Sequence, residues 1–245
     1  MLQVLAISFP QSSNGIAIDT ETEALPAAPL FSRNWSKKQF AANMQSSMSQ
    51  YEIAVSDVKK QLFGAIGPGS RVLELGIGTA PNLKHYPPSC EIVGVDPNPY
   101  MQLYAQQKAA RPGAPTLKWV TGEGEHLRRY FEQGSFDAAV VTLTLCSVAD
   151  PDKVLFAIRS VLRPGGKLIF VEHVAAQNNS LLRYLQAALD PLQQLVSDGC
   201  HLTRDTEAIL KSAEGFQLER LERFRVSGLE AALISPHISG VAIAV

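Results

Sequence analysis

The sequence has only three cysteines, Cys90, Cys146 and Cys200, in 245 residues. They are odd in number, and no two stand at C-x-x-C spacing. That argues against a disulfide scaffold and gives no zinc-ligand spacing, and it points to a reducing compartment. No apolar run reaches the roughly eighteen residues of a spanning helix, so no transmembrane anchor is expected. Neither charge sign dominates: 22 Lys and Arg face 23 Asp and Glu, a net charge of −1. No electrostatic partner such as nucleic acid is implied. No basic residue precedes Arg33, whereas secretory and transit segments carry early positive charge. The expected location is cytoplasmic, with an organellar or peripheral-membrane site as the alternative. Residues 1–33, rich in Ser, Pro and Ala, are expected to form a flexible arm.

What remains is an ordinary globular composition, 46% apolar and 18% charged, sized for one α/β domain over residues 34–245. Phe40, Met44, Met48, Tyr51, Val55, Val58 and Leu62 recur at spacings of three and four. This is an apolar stripe on one or two helices over 34–66. It reads either as a packing stripe or as a helical lid with Tyr51 facing inward. Strand signals then alternate with helix signals. Strands are expected at 71–75, 92–95, 116–121, 136–143 and 167–171, with closing strands near 216–224 and 241–245. A helix is expected to follow Asn98-Pro99. Another follows Asp150-Pro151, with Val154, Ile158 and Val161 inward, and a third carries Leu181, Leu185, Leu189, Leu192 and Val196 with a kink at Pro191. Thr203 reads as a further cap. Such alternation predicts a doubly wound, mostly parallel sheet with right-handed crossovers.

The most informative stretch is Val72-Leu73-Glu74-Leu75-Gly76-Ile77-Gly78-Thr79-Ala80, followed by Asp96 at the end of the second strand. Glycines let backbone approach a ligand closely, and an acid at that strand tip accepts ribose hydroxyls. A dinucleotide turn requires a third glycine where Pro81 stands, and Glu74 would repel a pyrophosphate. No Gly-Lys-Ser/Thr follows, so a P-loop is excluded. A sulfonium cofactor with an ammonium tail tolerates Glu74. Gly122-Glu123-Gly124-Glu125 after the third strand supplies a carboxylate for an adenine amino group. The three acids together point to S-adenosylmethionine.

On these residues the chain resembles the class I S-adenosylmethionine-dependent methyltransferases. Leu162-Arg163-Pro164-Gly165-Gly166-Lys167-Leu168 is similar to their UbiE-like branch. Asp96-Pro97-Asn98-Pro99, Thr142–Val148, Glu172–Ala176, Asp198–Arg204 and Pro236–Gly240 resemble the methyltransferase-like protein seven group, whose animal members are thiol S-methyltransferases. The resemblance implies a Rossmann-like seven-stranded sheet with its last strand antiparallel, divided into a cofactor half (67–175) and a substrate half (176–245). It also implies a cofactor site of Tyr51, Glu74, Gly76, Gly78, Thr79, Asp96, Pro97, Asn98, Gly122, Glu123, Gly124, Thr142 and Leu143. The expected substrate is a small molecule. It is a thiol, or alternatively a phenol, quinone or alkaloid-like acceptor methylated on O, N or C. The protein is expected to be a monomer or homodimer.

His173, at the tip of the fifth strand beside Glu172, is the candidate base; a structural histidine bonded to a loop carbonyl is the competing reading. Asp190 and His237 are further catalytic candidates, set against a solvated cap at the Pro191 kink and a satisfied loop histidine. Asp198 reads as a cap of the Gly199 turn. Cys146 reads as pocket lining or inert packing. Cys200-His201 invites a metal or nucleophile role that the cysteine spacing does not support.

Overall fold

The computed structural model describes residues 33–227 and 232–245. The expected N-terminal arm, up to residue 32, lies outside the described residues. The strands are β1 (Arg71–Leu75), β2 (Glu91–Asp96), β3 (Thr116–Thr121), β4 (Phe136–Thr142), β5 (Leu162–His173), β6 (Phe216–Arg225) and β7 (Pro236–Ala244). They form one sheet in the order β3-β2-β1-β4-β5-β7-β6. β3, β2, β1, β4 and β5 are parallel neighbours. β7 runs antiparallel to both β5 and β6. The expected sheet, with its last strand reversed, is the one observed.

The central strands read as nearly continuous apolar runs because both faces are covered. Side chains alternate across the sheet. Leu73, Leu75, Val95 and Val141 point into one core. Val72, Ile92, Val140 and Val171 point into the other. The first core is closed by α5 (Pro151–Val161), on which Val154, Ile158 and Val161 are all buried. Asp150 caps that helix by accepting from the Lys153 N–H at 3.1 Å, as its position before Pro151 predicts.

The N-terminal stripe falls on three helices rather than one or two: α1 (Arg33–Ser47), α2 (Ser49–Ala54) and α3 (Ser56–Phe63). The stripe also divides by role. Val55 and Leu62 are buried core, whereas Phe40, Met44, Met48 and Tyr51 face a cavity.

Other expectations shift. After Asn98 the chain makes a 3-10 turn before α4 (Gln102–Ala109). Pro164-Gly165-Gly166 does not precede the fifth strand but is absorbed into it, because Leu162 already pairs with Phe136 across a bulge. Thr203 caps nothing; Asp205 caps α7 (Thr206–Ser212), accepting from the Ala208 N–H at 3.1 Å. The leucines of α6 (Leu181–Val196) have helical spacing, yet Leu181, Leu192 and Val196 are exposed. Gln186 is the buried anchor of that helix. It accepts from the Ala176 N–H and donates to the Leu233 carbonyl.

Candidate active site

The C-terminal ends of β1, β2 and β4 border a cavity of about 810 Å³, within the usual range for a cofactor pocket. The sequence places it there because parallel strands end in loops on one edge of the sheet. Gly76 and Gly78 take φ of 65° and 53°, a region that glycine enters without penalty. A Cβ on Gly76 would collide with the Thr144 side chain. Ala80 and Leu143 adopt φ of 55° and 51° without being glycine, local strain of the kind that collects at functional sites. Pro81 opens only a 3-10 turn, Pro81–His85, so no long helix aims its N-terminus at a pyrophosphate.

Asp96 stands at the tip of β2. Its Oδ2 accepts from the Gly78 N–H at 2.9 Å and its Oδ1 from the Asn98 N–H at 2.8 Å. Burial raises its pKa to about 6, against the pull of those two N–H groups. Glu74 is buried beneath the loop and accepts from Asn82 Nδ2 at 2.9 Å and Tyr86 Oη at 2.7 Å. Burial raises its pKa to about 7, opposed by these donors. Glu125 accepts from the Ala149 and Asp150 N–H groups, while Glu123 pairs with His126 at 3.3 Å. Bare glycine backbone, a buried strand-tip carboxylate and a third acid opposite fit an adenosyl sulfonium.

Of the expected cofactor residues, Tyr51, Glu74, Gly76, Gly78, Thr79, Asp96, Pro97, Glu123, Gly124, Thr142 and Leu143 border this cavity. Asn98 and Gly122 stand behind it. Asn98 accepts from the Tyr100 N–H and donates to the Lys37 carbonyl, tying α1 to the β2 tip. Gly122 is small because the Tyr130 ring occupies the space a Cβ would need.

A second cavity, of about 280 Å³, adjoins the first; Phe40, Met44, Met48, Tyr51, Leu143 and Ser147 border both. His173, Cys146, Cys200 and Gln193 line its far side. His173 Nε2 lies 3.1 Å from Cys200 Sγ. A hydrogen bond from Cys146 lowers the Cys200 thiol pKa, aided by His173. The same bond, together with burial, raises that of Cys146. Cysteine spacing could not announce this group, because its members come from the loop after β4, the end of β5 and the loop after α6.

His237 is buried and borders neither cavity. Burial lowers its pKa to about 4, so the ring is neutral. Its Nδ1 faces the Ser235 carbonyl at 3.2 Å and therefore carries the proton, which leaves Nε2 to accept from Tyr51 Oη at 3.2 Å. Asp190 also lies off both cavities. It accepts from Gln194 Nε2 and the Thr203 N–H and pairs with His201, holding the loop after α6. Asp198, at φ 47°, borders the larger cavity.

Sequence reasoning missed two supports. Glu172 is fully buried and accepts from the Thr144 and Leu145 N–H groups, fixing the loop after β4; burial raises its pKa to about 7, opposed by those N–H groups. Arg204 donates to the Leu145 and Val148 carbonyls of the same loop.

A family model described as "Methyltransferase domain" matches residues 73–170. The human thiol S-methyltransferase TMT1A is 35% identical over 200 residues, covering 79% of this chain and 81% of its own. Human TMT1B is 38% identical over 192 residues, covering 76% and 78%. The chain belongs to this methyltransferase family. The fold agrees. A putative methyltransferase in complex with the Haloferax volcanii Trm112 activator superposes with a TM-score of 0.63 at 16% identity, covering 85% of this chain and 97% of that one. A methyltransferase from Methanosarcina mazei gives a TM-score of 0.62 at 17% identity, covering 76% and 97%. The enzyme is thus an S-adenosylmethionine-dependent methyltransferase. No described helix is long and apolar enough to cross a membrane.

Proposed function

We propose that the enzyme transfers the methyl group of S-adenosylmethionine to the sulfur of a small thiol held in the second cavity. The observation that carries this reading is the shared wall. Tyr51, Leu143 and Ser147 border both cavities, so an acceptor in one meets a donor in the other. The kinship with thiol S-methyltransferases supports the choice of sulfur.

The cofactor supplies a methyl already activated by its sulfonium. Asp96 receives the ribose hydroxyls, Glu123 faces the adenine side, and the bare Gly76–Gly78 backbone admits the amino-acid tail. Phe40 and Met44 on α1, with Met48 at its junction with α2, act as a lid that excludes water. A thiol, with a pKa of about 8.5, is already partly ionised near neutrality, so alignment and desolvation outweigh the need for a strong base. The acceptor sulfur rests against the floor formed by His173, Cys146 and Cys200.

Incubation with methyl-labelled cofactor and a panel of thiols, phenols and amines tests this. Label on thiols is expected. Label confined to phenols or amines overturns it.

A further inference from the structure

Cys146, His173 and Cys200 are buried, and the two Sγ atoms and one His173 ring nitrogen all lie within 4.8 Å of one another. They come from the loop after β4, the last residue of β5 and the loop after α6. A backbone bond joins the two loops: the His201 N–H donates to the Cys146 carbonyl at 3.0 Å. Arg204 fastens the first loop through the Leu145 and Val148 carbonyls. All three side chains border the second cavity, so the group is open on one side.

Two sulfurs and one imidazole nitrogen suit a borderline-soft divalent ion. Tetrahedral zinc, with bonds of about 2.3 Å to sulfur and 2.0 Å to nitrogen, needs ligand atoms roughly 3.5–3.8 Å apart. The observed spacing is within small side-chain adjustments of that. Three protein ligands with a fourth direction open to a cavity is the pattern of a catalytic site rather than a closed structural one.

We propose that Cys146, His173 and Cys200 form a zinc site whose open position takes the acceptor thiol; this rests on the thiol reading above. Ion binding displaces the protons of the two cysteine thiols to water. An entering thiol loses its proton to water at the cavity mouth as its sulfur bonds to the ion. A lone pair of that sulfur then forms the new bond to the methyl carbon. The bond from carbon to the sulfonium breaks, and its electron pair stays on the departing S-adenosylhomocysteine sulfur. The product thioether is neutral, binds the ion weakly and leaves. Nothing is oxidised or reduced.

The test uses the full chain, stripped with chelator and titrated with Zn²⁺ or Co²⁺. One equivalent of Co²⁺ is expected to bind with tetrahedral d–d absorption and a sulfur-to-cobalt charge-transfer band, and 2-mercaptoethanol is expected to shift that spectrum. Cys146→Ser, Cys200→Ser and His173→Ala are expected to weaken binding at least about ten-fold, with S-adenosylhomocysteine calorimetry confirming that each variant is folded. No stoichiometric binding, binding indifferent to all three substitutions, or a spectrum that 2-mercaptoethanol leaves unchanged overturns the metal site. Full thiol methylation by stripped enzyme also overturns it while leaving the thiol reading intact. Metal binding without methylation of any thiol overturns the thiol reading instead, and with it the role given to the ion.

Discussion

The Asp96 carboxylate accepts from the Gly78 N–H at 2.9 Å, so the acid of the second strand sets the glycine loop of the first. Asp96 also borders the larger cavity, and burial raises its pKa to about 6. A ligand donating hydroxyls to Asp96 favours the ionised form. Affinity for S-adenosylhomocysteine is therefore expected to weaken by up to about ten-fold between pH 7 and pH 5, as protonation competes with binding. Calorimetry across that range checks this. Asp96→Asn should flatten the profile and weaken binding at pH 7. An unchanged slope in the variant would remove the ribose assignment.

Glu74 predicts a stability effect of defined sign. Its folded pKa of about 7 exceeds its ordinary 4.5, chiefly through burial. A raised folded pKa contributes stability in full below about pH 4.5, and that contribution disappears as pH rises through 7. Glu74→Gln keeps an acceptor for Asn82 and does not titrate. Wild-type stability minus that of the variant should fall by roughly 3 kcal/mol from pH 4.5 to pH 8. Urea unfolding of both proteins at several pH values measures it, and a flat difference contradicts the buried carboxylate.

Gly76 and Gly69 separate backbone strain from steric exclusion. Both have positive φ, 65° and 76°, but a Cβ at Gly76 meets Thr144 while one at Gly69 meets nothing within 4 Å. Gly69→Ala should cost only about 1 kcal/mol of stability and leave cofactor affinity intact. Gly76→Ala should cost more, about 1–3 kcal/mol, and reduce affinity by displacing the loop. Equal effects in melting and calorimetry would sink the assignment of Gly76 to the loop.

Tyr51 and His237 should be energetically coupled. Tyr51 Oη lies 3.2 Å from Nε2 of a neutral, buried His237. A double-mutant cycle of Tyr51→Phe and His237→Leu should give an interaction of about 0.5–1.5 kcal/mol. Strict additivity in denaturant unfolding would show that the hydrogen bond does not form. Tyr51→Phe should also raise KM for the acceptor, since Tyr51 borders both cavities.

The cofactor half was legible because its signals are local. Val72 to Ala80, Asp96 and Glu123 each follow a strand, and parallel strands deliver their ends to one edge of the sheet. Residues that support the site from a distance were not legible. Asn98 and Gly122 look like cofactor residues in the sequence but stand behind the cavity as a cap and a clearance for Tyr130.

The sequence by itself determined the alternation of strands and helices, the glycine loop, the strand-tip acids and hence the methyl donor. Periodicity and turn chemistry act over a few residues, so they can be read without a fold. It could not determine which apolar stripe is buried. The α6 leucines are helical yet exposed, while the N-terminal stripe divides between core and cavity. Nor could it join Cys146, His173 and Cys200, which lie 27 residues apart at each step in the chain. Only the tertiary structure decided that, because the ends of β4 and β5 are neighbours in the sheet and the loop after α6 returns to cover them.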